Sequence, residues 1–94
     1  MNNIIKLILG ERRRITTQIT ADTSDVFTIE NATYTLSTAK RVEDSGIPDV
    51  VDHDLIVTIQ PKTVSVYILE FEFDVASEHI IRSIAINVIN REGV

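Results

Sequence analysis

Between Val64 and Asp74 apolar and acidic side chains alternate so regularly that the backbone has few options. Tyr67, Leu69, Phe71 and Phe73 take every second position, and Glu70, Glu72 and Asp74 follow the first pairs one step out of phase. A two-residue period puts each set on one face of an extended strand, whereas a helix would mix them. Such a chain builds a sheet, and a sheet with four large apolar side chains on one face needs a second layer to cover them.

The same period recurs along the chain. Ile15, Ile19 and Ala21 share a face, with the Thr17 methyl beside them, and Thr16, Gln18 and Thr20 share the other. Asp22-Thr23-Ser24-Asp25 is a turn cluster. Val26 to Ile29 is a short apolar approach that Glu30-Asn31 breaks, and Ala32, Tyr34 and Leu36 then alternate with Thr33, Thr35 and Ser37. Residues Ala39 to Asp44 predict an edge strand with one apolar anchor, Val42. Ser45-Gly46-Ile47-Pro48-Asp49 is the strongest loop signal, and Asp52-His53-Asp54 continues as a polar connection. Leu55, Val57 and Ile59 alternate with Ile56, Thr58 and Gln60 until Pro61-Lys62 turns the chain. Val75-Ala76-Ser77-Glu78 predicts a hairpin connection into a strand from Ile80 to Asn90, with Ile84, Ile86 and Val88 on one face and a frayed tail from Arg91. Short strands with turns about every 8–12 residues are the pattern of a β-sandwich or small barrel. The expected core is Ile15, Ile19, Tyr34, Leu36, Leu55, Val57, Ile59, Leu69, Phe71, Phe73, Ile84 and Ile86.

The order of these segments carries a resemblance. A short apolar N-terminal run is followed by a glycine, a Thr-rich strand from Arg12 to Thr20 and an acidic turn. The phrase Phe27-Thr28-Ile29-Glu30-Asn31-Ala32-Thr33-Tyr34-Thr35-Leu36 comes next, and Tyr67-Ile68-Leu69-Glu70-Phe71-Glu72-Phe73 leads into the last strand. This resembles the small immunoglobulin-like domains of phages and prophages, such as the N-terminal domain of baseplate upper proteins and similar tail components. Glu30-Asn31 stands where those domains often carry Thr-Gly. The resemblance implies an all-β, immunoglobulin-like, two-sheet antiparallel sandwich of about seven strands. It also implies a structural role in a virion, without chemistry and with neighbours in a larger assembly.

Composition narrows the function classes. The 94 residues suit one domain spanning 1–94. A net charge of -5 opposes phosphate backbones and anionic membrane surfaces, so neither nucleic acid nor membrane is an expected partner. There is no cysteine and hence no disulfide or thiol chemistry. Met1-Asn2-Asn3 lacks a positive signal-peptide start, and Lys6 interrupts the following apolar run, so the expected place of synthesis and residence is the bacterial cytoplasm, with later assembly into a virion.

No constellation assembles a catalytic site or asks for a cofactor. Asp52-His53-Asp54 sets a histidine between carboxylates, but a strand would point His53 away from both acids, and a solvated loop is the plain reading. His79 beside Glu78 reads as an exposed residue at a hairpin end. Arg12-Arg13-Arg14 splits between two faces and reads as a solvated strand start, with pairing to Glu70, Glu72 or Asp74 as a weak option. Those three acids stand about 7 Å apart along one strand and form its wet face. Tyr67 is placed to hydrogen-bond through its hydroxyl in a corner arrangement or simply to pack.

Excess apolar character is the feature that points to function. The runs Ile4-Ile5, Leu7-Ile8-Leu9 and Val64, Val66, Ile68 make their strands apolar on both faces, and the last strand repeats this with Ile81, Ala85 and Ile89. A two-layer sandwich covers only one face of each sheet. Ile4, Ile5, Leu7, Ile8, Leu9, Val64, Val66 and Ile68 are therefore the candidate protein interface. The expectation is a non-catalytic phage or prophage structural module, a tail, baseplate or head–tail component, docking on a protein partner or a second copy. The alternatives are a bacterial surface or adhesion module of the same fold, and a small-ligand or metal-dependent protein using the Asp52–Asp54 loop.

Overall fold

The computed structural model describes residues 4–20 and 27–91. Expectations for Ala21, the Asp22–Asp25 turn, Val26, the Met1–Asn3 start and the tail beyond Arg91 lie outside these residues. Eight strands follow in order: β1 (Ile4–Ile8), β2 (Arg13–Gln18), β3 (Ile29–Ser37), β4 (Val42–Gly46), β5 (Asp49–Val51), β6 (Asp54–Ile59), β7 (Ser65–Val75) and β8 (Glu78–Ile89). They form a five-stranded sheet, β1-β8-β7-β3-β4, facing a three-stranded sheet, β2-β6-β5. The smaller sheet matches the B-E-D layer of an immunoglobulin-like sandwich, and β8-β7-β3-β4 matches the opposing G-F-C layer extended by one strand.

One strand breaks the antiparallel rule. β1 runs parallel to β8, from Ile4 opposite Ala85 to Ile8 opposite Ile89, so the larger sheet is mixed. The reason lies just after it. Gly10 adopts φ 100°, a conformation open to glycine, and Glu11 N–H donates to the Ile8 carbonyl at 2.9 Å. This turn sends the chain into β2 of the other sheet, which leaves β1 to line up along the last strand.

The interior follows the alternation. Tyr67, Leu69, Phe71 and Phe73 of β7 are fully buried, against Leu55, Val57 and Ile59 of β6, Ile15 and Ile19, and Leu36 and Ile86. Tyr34 and Ile84 pack on this core but stay half-buried. Leu7, Ile29, Ala32 and Val88 join it. Burying one such aliphatic or aromatic side chain is worth about 1.5–3 kcal/mol, so β7 alone contributes much of the driving force.

Four expectations are corrected. Glu30-Asn31 does not end a strand. The register shifts between Glu30 and Thr33, and Asn31 takes φ 55°, so β3 carries a β-bulge there. The extra residue changes phase, which lets both Ile29 and Ala32 face the core. The loop signal at Ser45–Asp49 holds two strand ends, and only Ile47-Pro48 crosses between the sheets to the short strand β5. Val42 is no anchor: it is exposed on β4, which is an edge strand as expected. Asp52-His53 is a hairpin turn between β5 and β6. The Val75–Glu78 hairpin is present, closed by Ala76-Ser77.

Tyr67 makes the corner bond. Its hydroxyl accepts from Thr63 N–H at 3.3 Å, four residues upstream at the entry to β7. Such a tyrosine bond near the start of this strand recurs in immunoglobulin-like sandwiches.

Candidate docking surface

Pairing registers, which the sequence alone does not reveal, align outward-facing residues into rows across the five-stranded sheet. One row crosses all five strands: Val42 opposite Ser37, Ser37 opposite Ile68, Ile68 opposite Ala85, and Ala85 opposite Ile4. Ile4 is 64% exposed, Val42 58% and Ile68 41%. The next row holds Val66, Asn87 and Lys6, and beyond it Ile89 pairs with Ile8. Val64 and Val66 are also exposed. One half of the outer face thus carries a band of exposed aliphatic side chains, interrupted by Ser37, Asn87 and Lys6, with no layer of this chain's described residues over it.

The candidate interface residues divide by side. Ile4, Val64, Val66 and Ile68 lie exposed, and Ile8 is half-buried on the outer face. Ile5 and Leu9 pack against the core. Leu7 is fully buried, so its place in a docking surface is corrected: parallel pairing of β1 with β8 turns it inward beside Val88. Val42 and Ala85 belong to the row although neither was among the candidates. Ala85 is one of the surplus apolar residues of the last strand, whereas Val42 carries no local signal and joins the row only through register.

The other half of the face is acidic and partly self-neutralised. His79 Nδ1 lies 2.7 Å from Asp74 Oδ1 and its Nε2 3.0 Å from Glu72 Oε2. Asn31 Nδ2 donates to Asp74 Oδ2 at 3.0 Å. Hydrogen bonding to Asp74, then to Glu72, raises the His79 pKa, and bonds from Asn31 and then His79 lower that of Asp74. His79 is exposed at the hairpin end as expected, and there, as the second residue of β8, it is clasped by two acids. The arginines take no part. β2 sits in the other sheet, and Arg13 approaches Glu11 at 3.5 Å.

The Asp52–Asp54 turn is used structurally. The His53 ring stacks on Phe27 with centroids 3.9 Å apart, its Nε2 lies 3.1 Å from the Phe27 carbonyl, and its own carbonyl accepts from Ile19 N–H at 2.8 Å. These contacts hold the turn against the segment before β3. Among the described residues no group of three or more His, Cys, Asp or Glu side chains is placed to hold a metal ion. The chain is a small all-β domain whose most distinctive surface is an uncovered apolar band. No family model matches this chain, nor does any curated protein or solved structure.

Proposed function

We propose that this domain is a non-catalytic structural module of a phage or prophage particle, a tail, baseplate or head–tail component, that docks on a protein of the assembly through the outer face of its five-stranded sheet. The observation that carries this reading is the five-strand row from Val42 to Ile4, in which Val42, Ile68 and Ile4 stand exposed and Ser37 is the one polar member, with Val64 and Val66 exposed beside it. The order of strands and the phrases around Phe27–Leu36 and Tyr67–Phe73 supply the virion context by resemblance. The domain is made in the bacterial cytoplasm and needs no cofactor for this role.

Genes for tail, baseplate or head–tail proteins are expected beside its own. Each neighbouring product, purified and titrated against this chain by calorimetry, tests the reading. One of them should bind the wild-type domain and bind a Val66→Asp, Ile68→Asp double variant at least about tenfold more weakly, since buried unpaired charge is strongly unfavourable. A gene set with no virion proteins, or equal binding by the folded double variant, would contradict it.

A further inference from the structure

We propose that the end of β6 left bare by β5, beside Thr58 and Gln60, takes an extended segment of a partner protein as an added strand. The site lies on the smaller sheet and goes beyond the docking reading, which uses the outer face of the larger one. Three observations carry it.

The first is a set of open backbone groups. β6 runs to Ile59, but β5 pairs only with Asp54, Leu55 and Ile56. Ile19 N–H donates to the His53 carbonyl at 2.8 Å, in the register that pairs β2 with β6. Antiparallel strands exchange hydrogen bonds at every second pair, so Leu55, Val57 and Ile59 turn their N–H and carbonyl groups toward β2. Trans peptides then turn Thr58 N–H, the Thr58 carbonyl and Gln60 N–H to the other side. Among the described residues nothing pairs with these three groups. An extended backbone presents donors and acceptors at the matching spacing.

The second is the reason the lane is empty. The register of β5 on β6 would continue with Pro48 opposite Val57 and Ile47 opposite Thr58. Instead Ile47-Pro48 crosses to Gly46 of β4 in the larger sheet, and proline has no N–H to give the ladder. The crossing itself vacates the place beside Thr58.

The third is a pair of hollows that share Thr58. One, of about 720 Å³, opens toward the larger sheet and is lined by the buried Leu36 and Ile59. The other, of about 520 Å³, lies in the notch where β5 begins and is lined by Arg14, Asp49 and Ile56. Thr58 is exposed on the outside of the sheet, whereas Val57 and Ile59 are buried. An added residue opposite Thr58 therefore points to the mixed hollow, and its two neighbours point to the apolar one. The fitting segment is extended and apolar at every second position, with small polar residues between.

A blocked heptapeptide with a lysine at each end and alternating valine and threonine is the probe, titrated to about 5 mM into the labelled whole chain and followed by amide NMR. The Thr58 and Gln60 amides should shift saturably and exchange more slowly with water. Thr58→Pro removes one open donor and no bond to β2, and should weaken binding at least about tenfold. Methylating the peptide's backbone nitrogens at alternate residues should do the same, and it keeps the test valid if the proline variant fails to fold. The Val66→Asp, Ile68→Asp double variant should bind the peptide as wild type does, which separates this lane from the apolar band. No saturable shift at Thr58, equal binding of the methylated peptide or of a folded Thr58→Pro, or loss of binding in the double variant would overturn the proposal. A Thr58 amide that shifts with protein concentration alone would overturn it in favour of a second copy in the lane.

Discussion

The Tyr67 hydroxyl donates a 2.6 Å hydrogen bond to Glu43 Oε1, joining a fully buried residue near the start of β7 to the edge strand β4 across the intervening β3. The other carboxylate oxygen of Glu43 accepts from Lys62 N–H at 3.1 Å. Thr63 Oγ1 lies 2.8 Å from the same hydroxyl. One acid and one phenol thus fasten the turn that leads into β7, the strand that presents Val66 and Ile68 to solvent.

Tyr67→Phe should therefore destabilise the domain by about 1–3 kcal/mol, because it strands a carboxylate and a backbone N–H in a half-buried corner. The melting temperature should fall by about 4–8 °C for each kcal/mol lost. Glu43→Gln keeps an acceptor for the hydroxyl and should lose roughly half as much. Unchanged melting of the Phe variant would show that the corner bond adds nothing.

Thr17 offers the opposite case. Its Oγ1 is buried without a hydrogen-bond partner among the described residues, while its methyl faces the apolar side of β2. Thr17→Val removes the unpaired hydroxyl at nearly the same shape, and should be neutral or stabilise by about 1 kcal/mol in thermal melting. A clear loss of stability would reveal a partner for that oxygen.

Ala76 closes the β7–β8 hairpin at φ 54°, where a Cβ is unfavourable. Ala76→Gly should stabilise by up to about 1 kcal/mol, the relief of strain outweighing the extra freedom of the unfolded chain. Urea unfolding measures it as a higher midpoint at constant slope.

The His79 clasp sets a pH window. A raised histidine pKa means that its stabilisation is complete below the ordinary 6.5 and is lost as pH rises through the folded value. The lowered Asp74 contributes fully above its ordinary 3.8 and is lost as pH falls through its folded value. His79→Gln should therefore lower the melting temperature most between these limits and progressively less on either side. In wild type the His79 ring should titrate above 6.5 by NMR, and Asp74→Asn should bring its midpoint down. A midpoint unmoved by that change would remove the clasp from the account.

Periodicity made the inner faces legible and little else. The facing of Tyr67, Leu69, Phe71 and Phe73, of Ile15 and Ile19, and of Leu55, Val57 and Ile59 follows from alternation alone. Asn31 misled because one left-handed residue inside a strand looks like a strand end. β5 escaped notice because three exposed residues beside Pro48 carry no amphipathic signal. The parallel docking of β1 on β8 was beyond reach, since a period names faces and never partners. The docking row inherits that limit: Val64, Val66, Ile68, Ile4 and Ala85 stood out as surplus apolar residues, whereas Val42 joins them only through register.

Methyl-resolved NMR of dilute, monomeric protein with a soluble paramagnetic agent tests the central claim, that a sandwich with a filled interior leaves an apolar row outside. Methyls of Ile4, Val42, Val66 and Ile68 should broaden strongly, while those of Leu7, Leu69 and Ile86 stay sharp. Sharp Ile4 and Ile68 signals beside a broadened Leu69 would contradict both the facing of the sheet and the surface proposed to dock.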